Sequence, residues 1–369
     1  MIKRTECVIC RSNIEPLHSF KNFPIYMGIH FDLTPYVFED MNWGACVKCG
    51  CVQLESLVDL NILYQAPHNP AIGKTWKDHN VSFSKYIIDD GAKSLLDVGG
   101  ANFKIGNLVC LSDSVESYTV IDLSADLYAD QKCPKIKTIK GLIETINSTE
   151  KYDGVVISHT LEHMYDPIST LKTLGEFLVE DGSVFISVPN IENQLKDGFL
   201  NALNFEHSFY ISEKYMAVMA AAAGFEIVDT FEFSKYNSFY KFKKNKDAVI
   251  MPIVDIDEAK IIYKSHIEVL YQDVANINEH ISDLGVYCFG AHIFSQMLIA
   301  AGLNTNSIIG FLDNDTNKNG KHLYGTDIMI YNPSILEIQS NPFVVVRVAQ
   351  YHEEIADGLI KINPDVYII

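Results

Sequence analysis

One stretch constrains the fold of this chain more than any other. Ser94-Leu95-Leu96-Asp97-Val98 reads as a buried strand, Gly99-Gly100 follow, and the segment from Lys104 to Leu111 can start a helix. A strand running into two glycines lets a ligand approach the backbone closely, because glycine has no Cβ. In open parallel sheets such turns gather at the carboxyl ends of the strands, where ligands bind. The G-x-G-x-x-G dinucleotide fingerprint is not met, since Ala101 and Lys104 stand where its second and third glycines would fall.

From 91 to 245 strand and helix patterns alternate, which predicts a parallel α/β sheet. Tyr118–Asp122 is the expected second strand and ends in an acid. Asp122 lies 23 residues after Gly99, near the spacing of a carboxylate that grips ribose hydroxyls. Asp97, two residues before Gly99, is expected near the amino-acid end of the ligand. Together these residues predict an adenosyl ligand, S-adenosylmethionine (SAM), held by Asp97, Gly99, Gly100, Asp122 and the adjoining Leu123. Ile143, in Gly141-Leu142-Ile143-Glu144, is expected to flank the adenine, and His159 follows the fourth strand, Tyr152–Ser158. Gly224–Thr230 and Asn237–Phe242 predict a closing hairpin, the seven-strand plan of a class I methyltransferase sheet.

The first 51 residues hold five of the eight cysteines. Cys7/Cys10 and Cys46/Cys49 form two C-x2-C pairs, the spacing at which four thiolates close a tetrahedral zinc site. With no open ligand position such a site is structural, and metal binding supplies folding energy that a small unit lacks. Cys51 is expected to be packed.

Candidate chemistry clusters past the strand ends. In Leu161-Glu162-His163, His163 sits at the rim of the expected cleft, while Glu162 reads as a helix-start acid. Glu206-His207, in Asn204–Ser212, is an acid/base candidate, because a carboxylate can hold an imidazole in one tautomer. Tyr64 and His68 lie in a proline-bounded loop where ligand contacts are common. The following segment, Thr75–Ile88, has helical spacing, with Trp76 and Phe83 expected to pack on the sheet. After a helix over 254–282, Gly285–Ala291 repeats the strand-to-glycine plan, with later strands at 308–315 and 343–349. This predicts a second, smaller Rossmann-like unit without a second dinucleotide. His292 follows its glycine turn. Arg347, one of three arginines, follows a run of valines and must be paired or face a cleft. A substrate contact is expected of it.

The charge balance, 29 basic against 47 acidic residues, gives −18 and argues against nucleic acid as a partner. No apolar run reaches the ~20 residues of a membrane span. A cytoplasmic protein, monomer or weak homodimer, is expected.

The chain resembles the nucleotide-sugar C-methyltransferases of deoxysugar pathways. The likeness runs nearly end to end: both cysteine pairs, Thr75-Trp76 with His79, Asp97 to Phe103, Leu161-Glu162-His163, Glu206-His207 with Ser212, and the C-terminal unit. It implies a zinc-binding domain over 1–60, a connecting loop and helix over 61–90, a SAM-dependent methyltransferase domain over 91–250, and a C-terminal Rossmann-like domain over 251–369. It implies a nucleotide-linked keto-deoxysugar whose carbon beside the ketone is deprotonated and then methylated. His207, Glu206 and His163 are implied as catalytic, with Tyr64, His68, Asn204, His292 and Arg347 expected around the sugar. Asn204 stands where the family usually carries a tyrosine.

Overall fold

The computed structural model describes all residues except 30–34, 65–72, 101, 127–128, 251, 254 and 282–283. His68 lies outside the described residues.

The N-terminal unit is a three-stranded antiparallel sheet of β1 (Ile14–Pro24), β2 (Phe38–Cys46) and β3 (Val52–Leu54). The two cysteine pairs sit in turns beside it. Its apolar side chains, Phe20, Phe23, Trp43 and Val52 among them, run without a break into the core of the rest of the chain. The cysteine turns therefore border a shared core rather than a small separate one.

The central part contains α1 (Lys74–Ile88), β4 (Ser94–Val98), α2 (Lys104–Val109), β5 (Ser117–Asp122), β6 (Ile136–Lys140), β7 (Tyr152–Ser158), α3 (Pro167–Phe177), β8 (Leu178–Pro189), α4 (Glu213–Ala222), β9 (Phe225–Ser234) and β10 (Asn237–Lys244). Its seven strands take the order β9-β10-β8-β7-β4-β5-β6. All neighbours from β8 to β6 pair in parallel, and β10 pairs antiparallel with β8 and β9. In β4, Leu95, Leu96, Asp97 and Val98 are all buried, as a strand covered on both faces requires. One face receives α1 and α2 through Phe83, Ile87, Phe103 and Tyr118. Trp76 does not join them. It is only half-buried, because it stands at the end of α1 that overhangs the carboxyl edge of the sheet. At α3, Pro167 occupies the first turn and the Asp166 side chain accepts from Ser169 N, closing an otherwise unpaired helix start.

The C-terminal part begins with the long α5 (Glu258–Ile281). It continues through β11 (Val286–Phe289), α6 (Ile293–Ala300), β12 (Ile308–Leu312), β13 (Ile330–Tyr331), β14 (Phe343–Val346), α7 (His352–Ile362) and β15 (Tyr367–Ile368). All pairings are parallel and the order is β13-β12-β11-β14-β15.

Each parallel sheet reverses its winding at one point: between β4 and β7 in the central part, and between β11 and β14 in the C-terminal part. Crevices form at such points. The two face one another across a single cavity.

Candidate active site

This cavity, about 720 Å³, is walled by the turn after β4, the ends of β5 and β7, Tyr64, the 204–208 loop, and the turns after β11 and β14. At its first corner Gly99 has φ +84, a left-handed conformation that a side chain adopts at a cost. A Cβ on Gly99 would lie 2.4 Å from Thr160 Oγ1, so glycine is required on both counts. Asp122, Leu123, Leu142 and Ile143 line the same corner. The Asp122 carboxylate receives the backbone N–H of Ser124 at 2.6 Å, which fixes it at the strand end. A close backbone approach, an acid after the second strand and apolar side chains beyond it suit the ribose and adenine of SAM.

Asp97 and Gly100 do not line the cavity. Asp97 is buried beneath the turn, where the Tyr118 hydroxyl donates to Oδ2 at 2.8 Å. A Cβ on Gly100 would strike that oxygen at 2.1 Å. Burial pushes the carboxyl up to about 7, against the pull of Tyr118. The expected ligand contact of Asp97 is corrected to support of the turn from below, and Gly100 gives that carboxylate the room it occupies.

His159 lines the cavity in a left-handed conformation (φ 48), unusual for a residue with a side chain. Its ring packs edge-on against Trp76 at 4.9 Å and His79 at 5.0 Å. Burial pushes it down to about 4, so it is neutral at physiological pH. Trp76 also lines the cavity and donates from Nε1 to the Tyr351 hydroxyl at 3.1 Å, joining α1 to the turn after β14. That turn carries a further left-handed residue, Ala349 (φ 51).

The opposite wall holds the acid/base groups. His207 Nδ1 lies 2.8 Å from the Ala202 carbonyl, which can only accept, so this nitrogen carries the proton and Nε2 the lone pair. The expectation that Glu206 orients His207 is therefore corrected. The backbone carbonyl does so, while Glu206 Oε2 lies 3.6 Å from His163 Nδ1. Tyr64 Oη is 3.3 Å from the same nitrogen, and desolvation holds this phenol well above its usual range. The rings of His163 and His207 are 5.3 Å apart.

Glu162, read from sequence as a helix-start acid, is the residue the sequence misplaced. It is 1 % exposed and lines the cavity. Its Oε1 is 3.4 Å from His159 Nδ1 and 3.9 Å from His163 Nε2. Burial pushes the carboxyl up to about 7, against the pull of His207. Its position between two histidines (His159 and His163) one turn apart was the available signal.

Of the expected substrate contacts, Tyr64 and His292 reach the cavity. Asn204 does not. It is buried, and its Oδ1 accepts from Glu206 N at 2.7 Å and His207 N at 2.9 Å, so it shapes the loop. Arg347 also lies elsewhere. Its fork engages Asp273 at 2.6 and 3.1 Å, and Nη1 donates to the carbonyls of Val346 and Ile369. A cation emerging from buried β14 finds its partner on α5, which removes it from the substrate set.

In the N-terminal unit the Sγ atoms of Cys7, Cys10, Cys46 and Cys49 all lie within 4.8 Å of one another, as four ligands of one ion would. Cys51 is buried beside the four but is not one of them, its thiol directed at the Val52 carbonyl. No described helix is long and apolar enough to cross a membrane.

Residues 74–230 match the family model described as "Methyltransferase domain". No curated protein matches the chain. Among solved structures, it is similar to the N-methyltransferase NodS from Bradyrhizobium japonicum WM9 (12% identity, 46% of this chain and 97% of that one, TM-score 0.36). It is also similar to the plantazolicin methyltransferase BpumL in complex with SAH (14% identity, 46% and 84%, TM-score 0.38). A third is the mitomycin 7-O-methyltransferase MmcR (15% identity, 45% and 54%, TM-score 0.38). By the family match, residues 74–230 are a methyltransferase domain, and the strand order of their sheet is that of the class I fold.

Proposed function

We propose that this enzyme methylates carbon, at the position beside the ketone of a nucleotide-linked keto-deoxysugar, with Cys7, Cys10, Cys46 and Cys49 holding a structural zinc. The observation that carries the reading is the tautomer of His207. A ring whose Nδ1–H is held by a backbone carbonyl offers Nε2 as a base, which is what removal of a carbon-bound proton needs. SAM, held by Gly99, Asp122, Leu123 and Ile143, supplies the electrophilic methyl group. His207 Nε2 takes the proton from the carbon beside the ketone. The Tyr64 hydroxyl, kept protonated by desolvation, lies 3.3 Å from His163 Nδ1 and holds that ring beside His207. His163 then hydrogen-bonds the oxygen on which negative charge develops. The nucleotide sugar as acceptor rests on the resemblance of the motifs.

The test is exchange of the sugar's α-proton with solvent deuterium. His207→Ala should slow exchange by roughly 10²–10⁴-fold, the usual worth of a positioned base, while SAM affinity stays put. Exchange at the wild-type rate would remove His207 from this role. A second reading, an amine or hydroxyl acceptor, is favoured by the carboxylates Glu162 and Glu206 on the acceptor wall. An N–CH₃ or O–CH₃ signal in the product spectrum would decide for it.

A further inference from the structure

The charge of the cavity wall bears on how an acceptor can be held. Asp122, Glu144, Glu162, Asp166 and Glu206 line it, and no lysine or arginine does among the described residues. The segments outside the described residues contain no lysine or arginine in sequence either. Nearby cations are already paired. Arg11 neutralises the cavity-lining Asp166 at 2.6 Å, while Arg347 pairs with Asp273 at 2.6 Å and buried Lys318 with Asp313 at 2.7 Å, away from the wall. A diphosphate is held most strongly by charge-assisted donors of the arginine or lysine type. SAM brings a sulfonium and an ammonium against one carboxylate, which offsets part of the acidic excess at its own end only.

One of these acids carries a second, independent sign of a missing partner. Glu162 Oε2 is buried and has no hydrogen-bond partner, although the side chain lines the cavity. A buried carboxylate oxygen left unpaired costs the full desolvation of that atom. The other oxygen faces His159 and His163, so the carboxylate is already oriented. The Ser208 N–H donates to the Glu162 carbonyl at 3.0 Å, which ties the turn to the loop bearing His207.

We propose that Glu162 is the acceptor-recognition residue, its Oε2 receiving a hydroxyl or ammonium hydrogen of the acceptor, and that any phosphate of the acceptor stays outside the cavity. This rests on the reading of the cavity as the methyl-transfer site. It is independent of which acceptor atom is methylated. A sugar would enter with its ring inside, beside His163 and His207, and a nucleoside diphosphate would remain at the mouth.

The test needs no turnover. The chain has two tryptophans; Trp43 is buried in the N-terminal unit and Trp76 lines the cavity, so Trp76 fluorescence reports on it. The SAH-loaded protein is titrated with D-glucose, with D-glucosamine and with thymidine diphosphate. Either sugar should change the Trp76 signal, and Glu162→Gln should weaken that response about tenfold or more, as loss of a charged acceptor does. Glucosamine binding more tightly than glucose assigns the ammonium, and equal binding assigns the hydroxyl. Thymidine diphosphate should leave the signal unchanged. SAH affinity of the variant serves as the folding control, and Glu162→Asp, which keeps the charge but withdraws the oxygens, should also weaken sugar binding. Sugar binding that Glu162→Gln leaves unaltered, no sugar binding at all, or a thymidine diphosphate response would overturn the proposal. The α-proton exchange experiment can fail while this one succeeds, so the two readings stand or fall separately.

Discussion

Asp97→Asn isolates the energetic cost of the acid beneath the glycine turn. In the folded chain burial raises this carboxyl to about 7, from an ordinary value of 3.8. Below the ordinary value both folded and unfolded states hold the proton, and the group does not affect stability. As pH rises the unfolded chain ionises first, so stability falls until the folded carboxyl ionises too. The full decrement is the pKa difference times 1.36 kcal/mol, about 4 kcal/mol above neutral pH, and no solvent discount applies to a side chain this buried. About 3 kcal/mol of it falls between about pH 5 and about pH 8. Asparagine cannot ionise and lacks this slope, though its buried amide adds a pH-independent cost of about 1–3 kcal/mol if left unpaired. Urea unfolding of both proteins at the two pH values measures the difference. The histidines and the cysteine turns titrate alike in both and cancel. The variant should gain on the wild type by about 3 kcal/mol as pH rises. Curves that run parallel would show that folding leaves the Asp97 carboxyl unshifted, and a variant that loses ground at high pH would show it stabilised as an anion; either refutes the argument.

Two shorter predictions concern the other acids and thiols. Arg347→Lys should cost only about 1 kcal/mol, since the pair with Asp273 is about a third exposed, and should leave acceptor and SAM constants unchanged; a rise in acceptor KM alone would return Arg347 to the site. Metal analysis should find about one zinc per chain, and Cys46→Ser should lose it together with much of the thermal stability; a metal-free, equally stable wild type would contradict the assignment.

The central sheet was legible because its signals are local. A buried strand, two glycines and an acid 23 residues on need no knowledge of distant contacts. The cysteine pairs were legible for the same reason. What the sequence did not carry was which partner each polar group finds. Glu206 adjoins His207 in the chain, yet adjacent side chains in a loop diverge, and Glu206 meets His163 instead. Arg347 could face a cleft or a carboxylate, and only the packing of α5 decides for Asp273. Asn204 looked like a replaced catalytic tyrosine, but its short amide closes a backbone turn that a phenol could not. Trp76 shares a helical face with Phe83 and still escapes burial, because the sheet ends beneath it.

The acid/base loop depends on the N-terminal unit more than chain order suggests. Strand β3 pairs with the residues that follow His207: Leu54 N donates to the Ser208 carbonyl at 3.0 Å, and Tyr210 N donates to the Val52 carbonyl at 2.7 Å. Arg4, also from this unit, is 9 % exposed and donates to the same Ser208 carbonyl at 2.6 Å and to the Tyr165 carbonyl at 3.0 Å. Cys49 and Cys51 lie just before β3, so the cysteine turn and the strand that braces the loop are one continuous segment. The Gly99–Asp122 corner makes no comparable use of that segment, because it stands on β4 and β5. Loosening the cysteine turns should therefore displace His207 while leaving the SAM corner in place. A structural ion would in this way govern the chemical step through geometry, at one end of the cavity only.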